Sequence, residues 1–268
     1  MFPEPVFWLL LLLKMGLTAG LVVLSTVIAE RAGPVLGALV ATLPVSAGPA
    51  YVFIALNHDA AFVAEGALAS FAVNVVAAVF ALVYAALAQR QGWVASLLTA
   101  LAVWLVLVLM VNAIAWTTLT AIVVNVSGLG ACMVVANRFR HARVPLVTRR
   151  WTDLLVRAAM VALLVAAVVT ASEVLGAKAT GILAVFPIVL SSLILILHPR
   201  IGGPATAAVL ANTLPGLAGF SLCCLTAHLL VPRIGSAAGL SAALAVSIGC
   251  NLLLWAFRRP KAIRSSPG

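Results

Sequence analysis

Residues 172–192 read SEVLGAKATGILAVFPIVLSS, and residues 29–48 read AERAGPVLGALVATLPVSAG. Shifted by 143, Glu30 falls on Glu173, Gly33 on Gly176, Ala41 on Ala184 and Pro44 on Pro187. A little upstream, Lys14 falls on Arg157. In a chain that is 65% hydrophobic, matches among Ala, Leu and Val say little. The rare residues carry the signal: a cation, an acid sixteen residues later and a proline fourteen after that, twice in the same order. The spacing predicts an internal repeat.

On either side of these stretches lie apolar runs of about twenty residues, each long enough to cross a bilayer core as a helix. Only 8% of residues are charged, where a soluble domain has about a quarter. In hydrocarbon the backbone must satisfy its own hydrogen bonds, which leaves helices or a closed barrel. Barrel strands are short and alternate in polarity. These runs are unbroken Ala, Leu and Val, so the chain reads as an all-α polytopic membrane protein of about nine transmembrane helices. The expected spans are 6–30, 34–56, 61–88, 93–112, 117–137, 152–174, 177–198, 203–231 and 235–257. Region 93–137 is continuously apolar and is divided at 112–118, because one helix of that length overshoots a bilayer. Trp8, Trp93, Trp116, Trp151 and Trp255 fall at or near span ends, as an interfacial aromatic belt requires.

The net charge is +10. With nine spans, twelve of the sixteen Lys and Arg residues fall in one set of connections and only Lys178 and Arg233 in the other. The positive-inside rule then puts the N-terminus outside and the C-terminus in the cytoplasm. Because the basic residues sit between apolar runs, they point to anionic lipid beside the loops and not to nucleic acid. Five spans fit within one offset of 143, an odd number, so the two copies enter the membrane in opposite directions. The expected architecture is a 4+1+4 inverted-topology repeat. Residues 1–112 form a first four-helix repeat, 113–151 a linking transmembrane helix and basic cytoplasmic loop, and 152–268 a second, inverted four-helix repeat with a basic tail. Inverted repeats recur in secondary transporters, whose broken helices meet near the midplane.

The stretch TGILAVFPIVLSSLILI from Thr180 to Ile196, with the spans after it, resembles the small four-span GlpM-like membrane proteins. Each half of the chain is about the size of one such protein. The resemblance implies a bacterial inner-membrane protein associated with envelope polysaccharide. It implies no catalytic residue and no substrate.

Charges inside a membrane are costly and normally find partners or water. Lys14 and Glu30 are too far apart to pair within one helix, as are Arg157 and Glu173. If the first and sixth spans lie side by side in opposite directions, Lys14 faces Glu173 near one surface and Glu30 faces Arg157 near the other. Two readings stand: symmetric ion pairs acting as outer and inner gates, or four side chains that snorkel to the headgroups. Asp153, four residues before Arg157, is a local alternative partner. Pro44 and Pro187 are expected to bend the second and seventh spans, with Ser46 and Ser191 beside them; each proline frees a backbone carbonyl, and the bends are either plain kinks packed by small residues or the lining of a solute site. Asn74 and Asn212, in the third and eighth spans, line a solute path or bond a neighbouring helix.

Enzyme signatures are absent: no HExxH, no GxSxG and no phosphate-binding glycine loop. Cys132, Cys223, Cys224 and Cys250 lie inside apolar runs without metal-ligand spacing, so no metal or cofactor is expected. The favoured reading is an inner-membrane permease, a secondary transporter or exporter of a small solute by alternating access between the two repeats, with proton coupling as an option. Its partners are the lipid bilayer and that solute. Lys14, Glu30, Pro44, Ser46, Asn74, Arg157, Glu173, Pro187, Ser191 and Asn212 are the candidate binding or gating residues. The alternative is a non-transporting membrane factor that supports envelope or exopolysaccharide assembly.

Overall fold

A backbone buried in hydrocarbon has no solvent to bond, so it stays helical wherever its residues allow. The computed structural model describes residues 5–31, Pro44, 47–145 and 150–258, and among them there is no strand. The helices are α1 (Pro5–Arg31), α2 (Ala47–Asn57), α3 (Ala60–Leu87), α4 (Trp93–Asn112), α5 (Thr118–Ala136), α6 (Trp151–Ser172), α7 (Gly176–Ala184), α8 (Ile188–Ile201), α9 (Gly203–Ile234) and α10 (Ser236–Arg258). Eight segments are long and apolar enough to cross a membrane, α7 and α8 together making one of them, and α2 is a shorter apolar helix. The chain is an all-α polytopic membrane protein of about nine helical segments.

Helix ends fall where the sequence supplies caps. The Asp59 side chain accepts from the Phe62 N–H at 2.9 Å and starts α3. Thr117 and Thr120 form a reciprocal capping box at the start of α5. The Trp116 indole donates to the Val111 carbonyl at 3.0 Å and folds the turn before it. The apolar region 93–137 is therefore divided where the sequence analysis divides it. Gly176 has φ +76°, a left-handed conformation that suits glycine, which gives the Glu-x-x-Gly spacing after α6 a physical reason.

One expectation needs correcting. Pro187 does not bend a continuous span; it breaks it. Proline lacks an N–H and disfavours helical geometry in the residue before it. Helix α7 ends at Ala184, and the Val185 and Phe186 N–H groups turn back onto the Ile182 and Leu183 carbonyls at 3.2 and 3.0 Å. The chain re-enters helix with the Ser191 N–H donating to the Pro187 carbonyl at 2.8 Å. The same bond recurs in the other half, where the Gly48 N–H donates to the Pro44 carbonyl at 2.7 Å. Residues 34–43 and 45–46 of the expected second span lie outside the described residues.

The offset of 143 reappears in the helix boundaries. Helices α3 and α9 begin at Ala60 and Gly203, and 203 − 60 = 143; α4 and α10 begin at Trp93 and Ser236, and 236 − 93 = 143. The packing follows the same correspondence. Helices α3 and α9 cross at the centre, α1 lies along α6, α4 packs on α3 as α10 packs on α9, and α5 touches both α3 and α9. Small residues permit the closest approach: a Cβ on Gly181 of α7 would lie 2.7 Å from the Gly66 Cα of α3. One apolar core gathers Phe80, Tyr84, Trp104, Ile194 and Leu210 between α3, α4, α8 and α9. A second gathers Val22, Phe53, Ile54, Val165 and Val168 between α1, α2 and α6.

Candidate functional site

Contacts among the turns define two ends of the bundle. At one, Asn57 Nδ2 donates to Glu173 Oε1 at 3.2 Å. His58 Nε2 lies 3.0 Å from Ser172 Oγ and 3.9 Å from Glu173 Oε1. At the other, Arg200 makes a two-pronged ion pair with Asp153, joining the end of α8 to the start of α6. These two side chains are 22% and 10% exposed, whereas Glu173 is 46% exposed. The Arg200 end is therefore latched by a shielded ion pair, and the Glu173 end is held by polar contacts in which Glu173 and Asn57 are exposed but His58 and Ser172 are shielded.

Helices α1 and α6 do lie side by side, yet Lys14 and Glu173 form no ion pair. The tip of α2 reaches Glu173 instead, through Asn57 and His58. Lys14, half-buried, places its ammonium 5.7 Å from the centre of the Phe53 ring, a cation–π arrangement. Arg157 is half-buried in α6, and Asp153 is held by Arg200, not by Arg157. The Glu30 side chain and Ser46 lie outside the described residues.

Asn74 belongs to a buried polar chain where α3, α5 and α9 meet. Its amide donates to the Leu217 carbonyl and to Ser221 Oγ, both at 2.8 Å. Ser221 donates to Asn125 Oδ1 at 2.9 Å, and the Asn125 amide donates to the Phe71 carbonyl at 2.6 Å. Asn74 and Leu217 are themselves 143 apart, so this bond sits on the crossing of the two corresponding helices. Such interhelical bonds fix the relative placement of helices in lipid. Asn212 does not join them. It is exposed on α9 and donates to the Ala208 carbonyl of its own helix at 2.9 Å, because Leu210, Ala211 and Leu214 take the buried face. Ser191 is buried one turn after Pro187.

The two proline regions have different surroundings. Pro44 lines a cavity of about 310 Å³ whose wall is almost wholly apolar. Leu17, Thr18 and Leu21 come from α1; Ala47, Gly48, Tyr51 and Phe53 from α2; Ala67 from α3; Phe220, Cys223, Cys224 and Ala227 from α9; Leu240, Ala243 and Leu244 from α10. The two hydroxyls in this wall are already engaged. Thr18 donates to the Lys14 carbonyl at 2.8 Å. Tyr51 OH lies 2.6 Å from Ser70 Oγ, which donates to the Gly181 carbonyl.

At five of the corresponding positions around Pro187 the residue is larger, whereas Tyr51 corresponds to the smaller Ile194, Phe53 to Ile196, Phe220 to Ala77 and Cys224 to Ala81. Ala47 corresponds to Leu190, Gly48 to Ser191, Ala67 to Leu210, Cys223 to Phe80 and Ala227 to Tyr84. Phe80, Tyr84, Leu190 and Leu210 are all buried in one packed core. Tyr84 OH further bonds His198 Nδ1 at 2.6 Å, and Phe186 beside the break meets Trp104 edge-on, ring centres 5.0 Å apart. The latch is one-sided too. Asp153 corresponds to Leu10 and Arg200 to Asn57, so the Glu173 end lacks an equivalent ion pair.

Among the described candidate binding or gating residues, Pro44 lines this cavity directly, and Lys14 touches its wall through Phe53. Cys223 and Cys224 read in the sequence as cysteines inside an apolar run, and Ala227 is an ordinary apolar residue, so nothing marked them as lining a cavity. Compared at matching positions, Cys223 and Ala227 are smaller than Phe80 and Tyr84, whereas Cys224 is larger than Ala81. No family model, no curated protein and no solved structure matches the chain.

Proposed function

We propose that the chain is a permease of the bacterial cytoplasmic membrane that works by alternating access between two inverted halves. The Glu173 end faces outward and the Arg200 end, which carries most of the basic residues, faces the cytoplasm. The observation that carries this reading is the asymmetry between matching regions: an open cavity at Pro44, and a packed core behind a latch at Pro187. Two corresponding regions in opposite states are what one stage of an alternating cycle looks like. Glu173 with Asn57 and His58 is the outward gate; Asp153 with Arg200 is the inward one. The engaged hydroxyls and apolar wall favour a solute with a large apolar part.

Transport by proteoliposomes of a panel of radiolabelled apolar solutes tests the proposal. The matched variant is Gly48→Leu, at a cavity-lining position where, among the described residues, a Cβ meets nothing nearer than Pro44 Cγ at 3.8 Å. Protein-dependent movement of at least one solute is expected, and its loss in Gly48→Leu. No movement of any solute, or movement undiminished in a folded Gly48→Leu protein, overturns the reading.

A further inference from the structure

We infer that the Pro44 cavity takes an acyl chain of an anionic phospholipid from the leaflet on the Glu173 side, with Lys14 meeting the lipid phosphate. The inference rests on the carrier reading and names its substrate class. Four of the cavity's lining residues are exposed apolar side chains on helices of membrane-crossing or shorter apolar type: Leu17 is 61% exposed, Leu21 44%, Val52 49% and Leu244 40%. They come from α1, α2 and α10. Their exposure makes the opening lateral, into hydrocarbon and not into water. A solute arriving by that route is already dissolved in the membrane.

Among the described residues the wall offers such a solute no free hydroxyl, since those of Thr18 and Tyr51 are spent on internal partners. A hydrocarbon chain fits; a sugar or an amino acid does not. The volume, about 310 Å³, lies at the lower end of ligand pockets and suits one chain better than a bulky ring system.

Lys14 supplies the second, independent observation. It lies on α1 one turn from Thr18, on the side of the Glu173 end, and its ammonium rests over Phe53, a wall residue. Among the described residues it has no carboxylate partner. A half-buried cation without an acid is costly in hydrocarbon unless an anion or the interface reaches it. A phospholipid whose chain enters below Lys14 brings a phosphate to the required place.

The test uses the full-length protein in nanodiscs of phosphatidylcholine doped with a phospholipid carrying a diazirine at mid-chain. One arm has a phosphatidylglycerol headgroup and the other a phosphatidylcholine headgroup. Cross-links are mapped by mass spectrometry. The proposal expects labelling on residues 17–21, 47–53 or 220–227, stronger for phosphatidylglycerol by about fivefold, the effect of one lysine near an anionic lipid. Lys14→Gln should bring the ratio to about one while keeping the cross-linked positions. Gly48→Leu should suppress both lipids at these positions. Equal labelling by the two headgroups in the unaltered protein overturns the headgroup assignment. Labelling confined to other lipid-facing surfaces, or untouched by Gly48→Leu, overturns the chain site. Failure here separates from failure of the carrier reading: solute movement blocked by Gly48→Leu with no selective cross-link leaves the carrier standing. Selective cross-links without any transport leave a lipid site on a protein that carries nothing.

Discussion

Replacing Tyr84 by alanine is expected to lower stability by about 4 kcal/mol, the cost of deleting a fully buried aromatic side chain. Tyr84 is completely shielded in the core formed by α3, α4, α8 and α9, and its hydroxyl bonds His198 at 2.6 Å. Tyr84→Phe keeps the ring and loses the bond, so it should cost only about 1 kcal/mol. Unfolding of the purified protein by sodium dodecyl sulfate, followed by tryptophan fluorescence, separates the two. The functional consequence is specific to this site. Ala227 occupies the corresponding position on the open side, so Tyr84→Ala gives the packed half the residue of the open half. A cavity at the Arg200 end should follow, and with it, on the carrier proposal, a shift of the resting equilibrium toward opening at that end. A loss near 1 kcal/mol for both variants would place the Tyr84 ring outside the packed core.

The latch should have an effect nearly as large. Removing one member of a shielded ion pair strands the other, at a cost of about 3 kcal/mol. Arg200→Ala is expected to show that loss in the same titration, because Asp153 is only 10% exposed and among the described residues retains the Arg150 N–H as a donor at 2.9 Å. The double variant Asp153→Leu with Arg200→Asn installs the pair found at the Glu173 end, Leu10 and Asn57, and leaves no stranded charge. Its stability should recover to within about 1 kcal/mol of the unaltered protein, since buried pairs contribute little net stability against neutral replacements. Full loss in the double variant would mean that the latch is needed for folding and not for holding one end closed.

The fold was legible in the sequence where local chemistry decides it. Apolar run length gave the helices, and Thr117 with Trp116 divided the 93–137 region at the place where a bilayer's thickness requires it. The rare residues exposed the offset of 143, which the starts of α3, α9, α4 and α10 follow. Side-chain partnerships were less legible, since they depend on which element reaches a residue first. Lys14 and Glu173 sit on neighbouring antiparallel helices, but the tip of α2 delivers Asn57 and His58 to Glu173. Asp153 met Arg200, forty-seven residues away, in place of Arg157 one turn along. Asn212 looked equivalent to Asn74 as a polar residue within a span, yet helix phase turns one inward and the other out. The cavity was not legible, because its lining differs from the matching positions in both directions: Cys223 is smaller than Phe80, while Phe220 is larger than Ala77. Cys223 set against Phe80 and Ala227 against Tyr84 become informative only once the halves are aligned.

The central claim is that the two corresponding halves exchange states, and pairs of spin labels at matching positions measure that directly. Leu17 and Leu244 flank the open cavity; their counterparts are Met160 and Leu101. Distances within each pair would be measured by pulsed electron resonance in nanodiscs, with the latch intact and with Arg200→Ala. The account predicts that the 17–244 distance shortens and the 101–160 distance lengthens together when the latch is removed. A single unchanged distance in both pairs, in a protein that remains folded, would contradict it.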